Sequence, residues 1–187
     1  MNIFTEFLKL GFEHISQGYD HLLFLAALVI VSKDLRSILS VISAFTIAHS
    51  TTLVLSALGV LSFPSLLTEA MIAVSIVYVG MENIIAPNQH RRWIIAGLFG
   101  FVHGAGFSGH LVGILKPLLG AGYIWGPIMG FNIGIELGQL CVIAILFPLV
   151  RYASNRSWER KVVIGASGTI ALIGLVLLIL RLAGVDA

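Results

Sequence analysis

The chain has 187 residues, 58% of them hydrophobic and only 11% charged, with a mean hydropathy of +1.00; a soluble domain carries roughly 25% charged residues. A net charge of +2, with basic residues in short clusters between apolar runs, argues against a nucleic-acid partner and leaves membrane lipid as the surrounding medium. The single Cys141 can form neither an internal disulfide nor a thiolate cage, and its apolar setting reads as packing.

A bilayer core takes about 20 apolar residues per helix. Cut on that basis, the chain is expected to be an all-α, polytopic membrane bundle of six transmembrane helices, one integral domain over 1–187. Residues 1–10 read as an amphipathic lead-in, with Ile3, Phe4, Phe7, Leu8 and Leu10 against Glu6 and Lys9, which lies on the interface or lengthens the first span. Acids mixed into this start, with no basic residues ahead of the apolar ones, do not resemble a cleavable leader. The first span runs from Gly11 or earlier to Val31, the second from Ser37 to Val60 and the third from Pro64 to Ala86. The fourth covers Trp93 to Leu115, the fifth Tyr123 to Val150 and the sixth Val162 to Leu182. Glycines of the fourth and fifth spans, among them Gly97, Gly100, Gly104, Gly130, Gly134 and Gly138, recur at three- and four-residue intervals and permit close helix approach. The sixth span is nearly featureless and is expected to face lipid or a second copy in a homo-oligomer.

Loops after the first, third and fifth spans hold Lys33, Arg36, Arg91, Arg92, Arg151, Arg156, Arg160 and Lys161, whereas the other side holds Lys9, Lys116 and Arg181. Basic residues are retained in the cytoplasm, so both termini are expected outside, in a bacterial-type inner membrane. His90, beside Arg91 and Arg92, reads as solvated loop.

Against this apolar background, "GFEHISQGYDHLLFL" (Gly11–Leu25) concentrates Glu13, His14, Asp20 and His21. The frame G-F-x-H-x6-H-L recurs in "GFVHGAGFSGHLVGIL", matching His14 and His21 to His103 and His110, and "FTIAHS" (Phe45–Ser50) echoes "FNIGIE" (Phe131–Glu136). Two three-span halves, 1–86 and 93–182, must enter the membrane from opposite sides, which is the inverted repeat many transporters use.

His21 lies 12 residues before Lys33, His49 lies 13 after Arg36, and His103 lies 11 after Arg92. At about 1.5 Å per residue these three histidines share one level near mid-membrane, with Glu136 and Asn132 at similar depth. On a continuous helix, i and i+7 stand about 10 Å apart along the axis. The spacing therefore predicts two layers, with His14, Glu69 and His110 above His21, His49, His103, Glu136 and Asp20. The alternative is that Gly18, or Gly104, Gly106 and Gly109, breaks its helix and lets a pair converge.

Ionisable groups within spans are functional by default because each is costly to insert unpaired. Imidazole and carboxylate ligands suit nickel, zinc, cobalt and copper in overlapping order. A hydroxyl such as Thr46, Ser50 or Ser108 would orient the far ring nitrogen.

The string His14-x5-Asp20-His21 followed by "LLFLAAL", the "FTIAHSTTL" of the second span, Glu69 in "TEAMIAVSI" and "FGFVHGAGF" together resemble the HupE/UreJ family of small membrane proteins. The resemblance covers essentially the whole chain. It implies a nickel permease associated with hydrogenase and urease maturation, with His14, Asp20 and His21 recognising metal and His49 and His103 as companions.

Transport of a divalent transition metal, nickel first, is the leading reading. An ion would pass His14, Glu69 and His110, rest on His21, His49, His103 and a carboxylate, and leave past Glu82 and Asn83. The runner-up is an intramembrane zinc hydrolase using the same histidines, with Asp20, Glu136 or Ser50 in catalytic roles. A metal sensor, a proton pathway and a heme protein rank below these.

Overall fold

The computed structural model describes residues 2–87, 91–106, 113, 118 and 125–185, leaving aside the side chain of Ala57. Among them run seven helices and no strand: α1 (Ile3–Gln17), α2 (Tyr19–Ile30), α3 (Leu35–Ala57), α4 (Ser65–Ile85), α5 (Arg92–Gly106), α6 (Trp125–Ala153) and α7 (Glu159–Leu182). Two of them, α1 and α3, start on a side-chain cap. The Asn2 side chain accepts from the amide of Phe4, and the Asp34 carboxylate accepts from the amide of Ser37 at 2.7 Å, each answering a donor that a helix N-terminus leaves unpaired.

Among the described residues, four stretches, Leu35–Ser56, Ser65–Ile85, Trp125–Ala153 and Glu159–Leu182, are long and apolar enough to cross a membrane. Six were expected. The difference has a local cause: the first expected span is cut at Gly18 into helices of 15 and 12 residues, and neither alone reaches the length a bilayer asks for. The fourth expected span is described over Arg92–Gly106 only, 15 residues. The amphipathic lead-in is no separate element, because α1 starts at Ile3 and buries Phe7 and Gly11 on the same face as Ile15.

Six of the seven described helices, all but α2, pack in three close pairs, and glycine sets the approach in each. Along α1 and α6, Phe4, Leu8 and Phe12 meet Gly130, Gly134 and Gly138 in rising order, so these two run parallel; a Cβ at Gly134 would strike the Leu8 carbonyl. Along α3 and α5, Ala44, Phe45 and His49 meet Gly97, Gly100 and Gly104, again parallel. The α4 and α7 helices run antiparallel, with Gly80 against Ser167 and Ala171 and Gly174 against Ile76. In lipid there is no hydrophobic force between helices, so backbone contact of this kind supplies the dispersion energy that holds them.

Arg92, expected in a solvated loop, is instead wholly buried. Its guanidinium donates to the carbonyls of Leu28 at 3.2 Å and Ala27 at 3.5 Å, to Glu82 at 3.3 Å and to the side-chain oxygen of Asn83. Asn83 in turn donates to the Ala27 carbonyl at 2.8 Å and to Ser167 at 3.1 Å. A charge taken out of water needs this many partners, and the network ties the end of α2 to α4, α5 and α7. Glu82 and Asn83, expected to give polar footing on the way out, are part of this seal. Beside it lies an apolar cluster of Leu25, Val29, Ile38, Ile42 and Ile143.

Candidate metal centre

The break at Gly18 decides the geometry of the centre. Its amide still bonds to the His14 carbonyl at 3.1 Å, closing α1, but its φ of −78° and ψ of 92° are extended and turn the chain before α2 begins. The two imidazoles therefore meet, with ring centroids of His14 and His21 4.5 Å apart at 66°. On a straight helix they would stand about 10 Å apart. The two-layer arrangement expected for a continuous first span is thus replaced by one cluster.

His49 of α3 completes it, its ring 5.6 Å from His14 and 5.8 Å from His21. One ligand nitrogen from each of His14, His21 and His49 lies within 4.8 Å of the other two. Metal–nitrogen bonds near 2 Å place tetrahedral ligand atoms roughly 3.3 Å apart, so the triad needs a contraction of no more than about 1.5 Å. Among the described residues this set contains three imidazoles and no carboxylate.

The surroundings are dry. His49 is fully buried and His21 is 9% exposed; Phe45 stacks on His49 at 5.6 Å and Phe131 lies 5.7 Å from His14. Both ring nitrogens of His21 and both of His49 lie buried without a hydrogen bond. An unsatisfied buried polar atom costs about 1–3 kcal/mol, and several converging on one point form the donor set that a cation with affinity for imidazole would satisfy.

His103 of α5 adjoins the triad, 5.0 Å from His21 and fully buried. Its Nε2 lies 3.0 Å from the Ser75 hydroxyl, which is itself 2.6 Å from the Ile72 carbonyl. A carbonyl only accepts, so Ser75 donates there and receives the Nε2 proton of His103. That fixes the tautomer and leaves the lone pair on Nδ1, which is buried and unbonded. The orienting hydroxyl comes from Ser75, which sequence reasoning had not singled out. Ser50 instead donates to the Thr46 carbonyl at 2.6 Å and meets Asn132, while Thr46 donates to Gln139 at 3.0 Å.

The carboxylates lie elsewhere. Asp20, in the first turn of α2, is paired with Arg181 of α7 at 2.5 Å. Glu69 is half-buried and its backbone carbonyl accepts from Arg181 at 2.7 Å. Glu136 is half-buried on α6, one turn beyond Asn132. His110, Ser108 and His90 lie outside the described residues. Arg181, expected among the loop charges, is 7% exposed; it sits in the last turn of α7 after five turns without a charge, a position where an arginine needs a partner.

The family model described as HupE / UreJ protein matches residues 1–181. No curated protein and no solved structure matches the chain. The chain belongs to the HupE/UreJ family, and with its four long apolar helices it is an integral membrane protein. The family points to nickel or cobalt transport, and the triad of histidines fits metal handling.

Proposed function

We propose that this HupE/UreJ protein is a permease for a divalent transition metal, nickel before cobalt, zinc or copper, that binds its cargo on His14, His21 and His49 with His103 beside them. One observation carries the reading: the interruption at Gly18 brings two histidines seven residues apart to 4.5 Å and adds a third from another helix. Broken helices at mid-membrane are where transporters commonly hold ions, because a helix end offers unpaired carbonyls and partial negative charge. The last turn of α1, which carries His14, is such an end.

An inverted repeat of halves 1–86 and 93–182 accords with the packing. Gly11 presses on the Phe131 carbonyl and its counterpart Gly100 on the Phe45 carbonyl, while His14 contacts the Phe131 ring at 5.7 Å and His103 the Phe45 ring at 5.3 Å. Rocking of such halves about the cluster is a direct route to alternating access. With both termini outside a bacterial-type plasma membrane, Arg92 and the Leu25–Ile143 cluster close the cytoplasmic side, and release requires them to part. The ion would shed water onto neutral imidazoles, whose lone pairs are already desolvated.

The hydrolase alternative gains no support, since Ser50 and Asp20 are both engaged by other groups. Ni²⁺ uptake into proteoliposomes tests the proposal. Wild-type protein should accumulate Ni²⁺, and His21→Ala or His49→Ala should reduce uptake to the rate of protein-free vesicles. Uptake by either variant at the wild-type rate would refute it.

A further inference from the structure

Arg181 is one of two buried arginines among the described residues. It sits in the last turn of α7, 7% exposed, with one terminal nitrogen 2.5 Å from a carboxylate oxygen of Asp20 and the other 2.7 Å from the Glu69 carbonyl. Its Nε is buried without a partner. An arginine at such a position costs several kcal/mol unless paired, and a salt bridge there is a poor way to add stability compared with apolar packing. Holding α7 in the bundle would need no charge, since Gly80 and Gly174 already bring it against α4.

What distinguishes Asp20 is its place. It follows the break at Gly18 by two residues and precedes the ligand His21 by one. It is therefore a carboxylate tethered directly beside one ligand of a cluster whose three imidazoles contribute no negative charge of their own. A divalent ion on neutral imidazoles brings two positive charges into a low-dielectric site, and a carboxylate that moves onto it or beside it neutralises half of them. The guanidinium, a permanent cation with a fork matched to carboxylates, holds that same group.

We propose that Arg181 is a resident cation that competes with the transported metal for Asp20 and so keeps the histidine site weak enough to release its cargo. The inference rests on the metal-binding reading of the histidine cluster. Conduction requires a site favourable enough to fill and weak enough to empty, and a built-in competitor meets that need without altering the ligands. Arg181 acts on the ion only through Asp20 and through its own field, so it is a positioning residue.

The test is Ni²⁺ affinity of purified protein, by titration calorimetry or competition with a chromogenic chelator, alongside proteoliposome uptake. At an effective dielectric of about 20, a unit charge anywhere within roughly 20 Å of a divalent ion is worth at least about tenfold in affinity. Arg181→Gln should therefore bind Ni²⁺ at least about tenfold more tightly and turn over more slowly, and adding Asp20→Asn should cancel most of the gain. Arg181→Lys keeps the charge but cannot span Asp20 and Glu69 together, and should give a smaller gain of about threefold. A merely structural arginine predicts the opposite, weaker binding in both variants. His21→Ala separates the two levels: if it leaves binding intact, the metal site itself is wrong. If it abolishes binding while neither Arg181 variant gains affinity, the competitor is refuted. Should Arg181→Gln fail to fold, judged by circular dichroism and elution volume, Arg181→Lys decides alone.

Discussion

Replacing Gly18 by alanine tests the reasoning at its most sensitive point. The backbone there, φ −78° and ψ 92°, is open to alanine, so the glycine is not required for its own dihedrals. The constraint is space. A Cβ would lie 2.7 Å from the His14 carbonyl and 2.8 Å from the His21 Nδ1, both inside the 3.0 Å that real Cβ atoms respect. Either the His21 ring moves or the chain relaxes toward the α region, which alanine favours over glycine by about 1 kcal/mol. Relaxation restores a continuous helix and draws the His14 and His21 rings from 4.5 Å toward about 10 Å apart. With one ligand of three withdrawn, Ni²⁺ affinity should fall by about 100-fold. Thermal unfolding should change little, by about 1 kcal/mol in either direction. Titration calorimetry and a thermal melt on the same preparation measure both. The control is Gly165→Ala on α7, where a Cβ meets nothing within 4 Å and binding should be unaltered. Gly18→Ala protein that binds Ni²⁺ within about threefold of wild type would show that the interruption does not assemble the site.

A Cβ at Gly104 would collide with the backbone of His49, so Gly104→Ala should push α5 from α3, displace His49 and cost about 1–3 kcal/mol of stability together with at least tenfold in Ni²⁺ affinity. Gly97→Ala, whose Cβ would sit an ordinary 3.8 Å from the Ala44 carbonyl, should leave both unchanged, and equal effects from the two would refute the close-contact reading. Arg92→Met removes the donor that serves the Leu28 carbonyl and the Asn83 oxygen; a loss of about 3–5 kcal/mol is expected, read as a lowered melting temperature. A melting temperature equal to wild type would mean the buried network carries no stability.

Much of the centre was legible beforehand. Counting rise per residue from charged helix ends placed His21, His49 and His103 at one depth, and they lie within 5–6 Å of His21 in the fold. That works because an α-helix has a fixed rise per residue, even though Arg92, the charge from which His103 was counted, is itself buried. The glycine spacing of the fourth and fifth spans likewise foretold backbone contact, since no side chain intervenes. The Ser75 hydroxyl was not legible, because a serine in an apolar run most often bonds to its own helix, and nothing local marks the one that also reaches a histidine on another.

Composition and periodicity by themselves determined that the chain is helical, apolar enough to lie in a membrane and supplied with several imidazoles, for those properties depend on residue type and spacing alone. They left open whether His14 and His21 stand a helical separation apart or touch, because a glycine imposes no ψ and only the neighbouring helices choose one. They also could not pair Asp20 with Arg181, 161 residues away. Which opposite charge a buried carboxylate finds depends on which helices become neighbours, and that is decided only when the bundle closes.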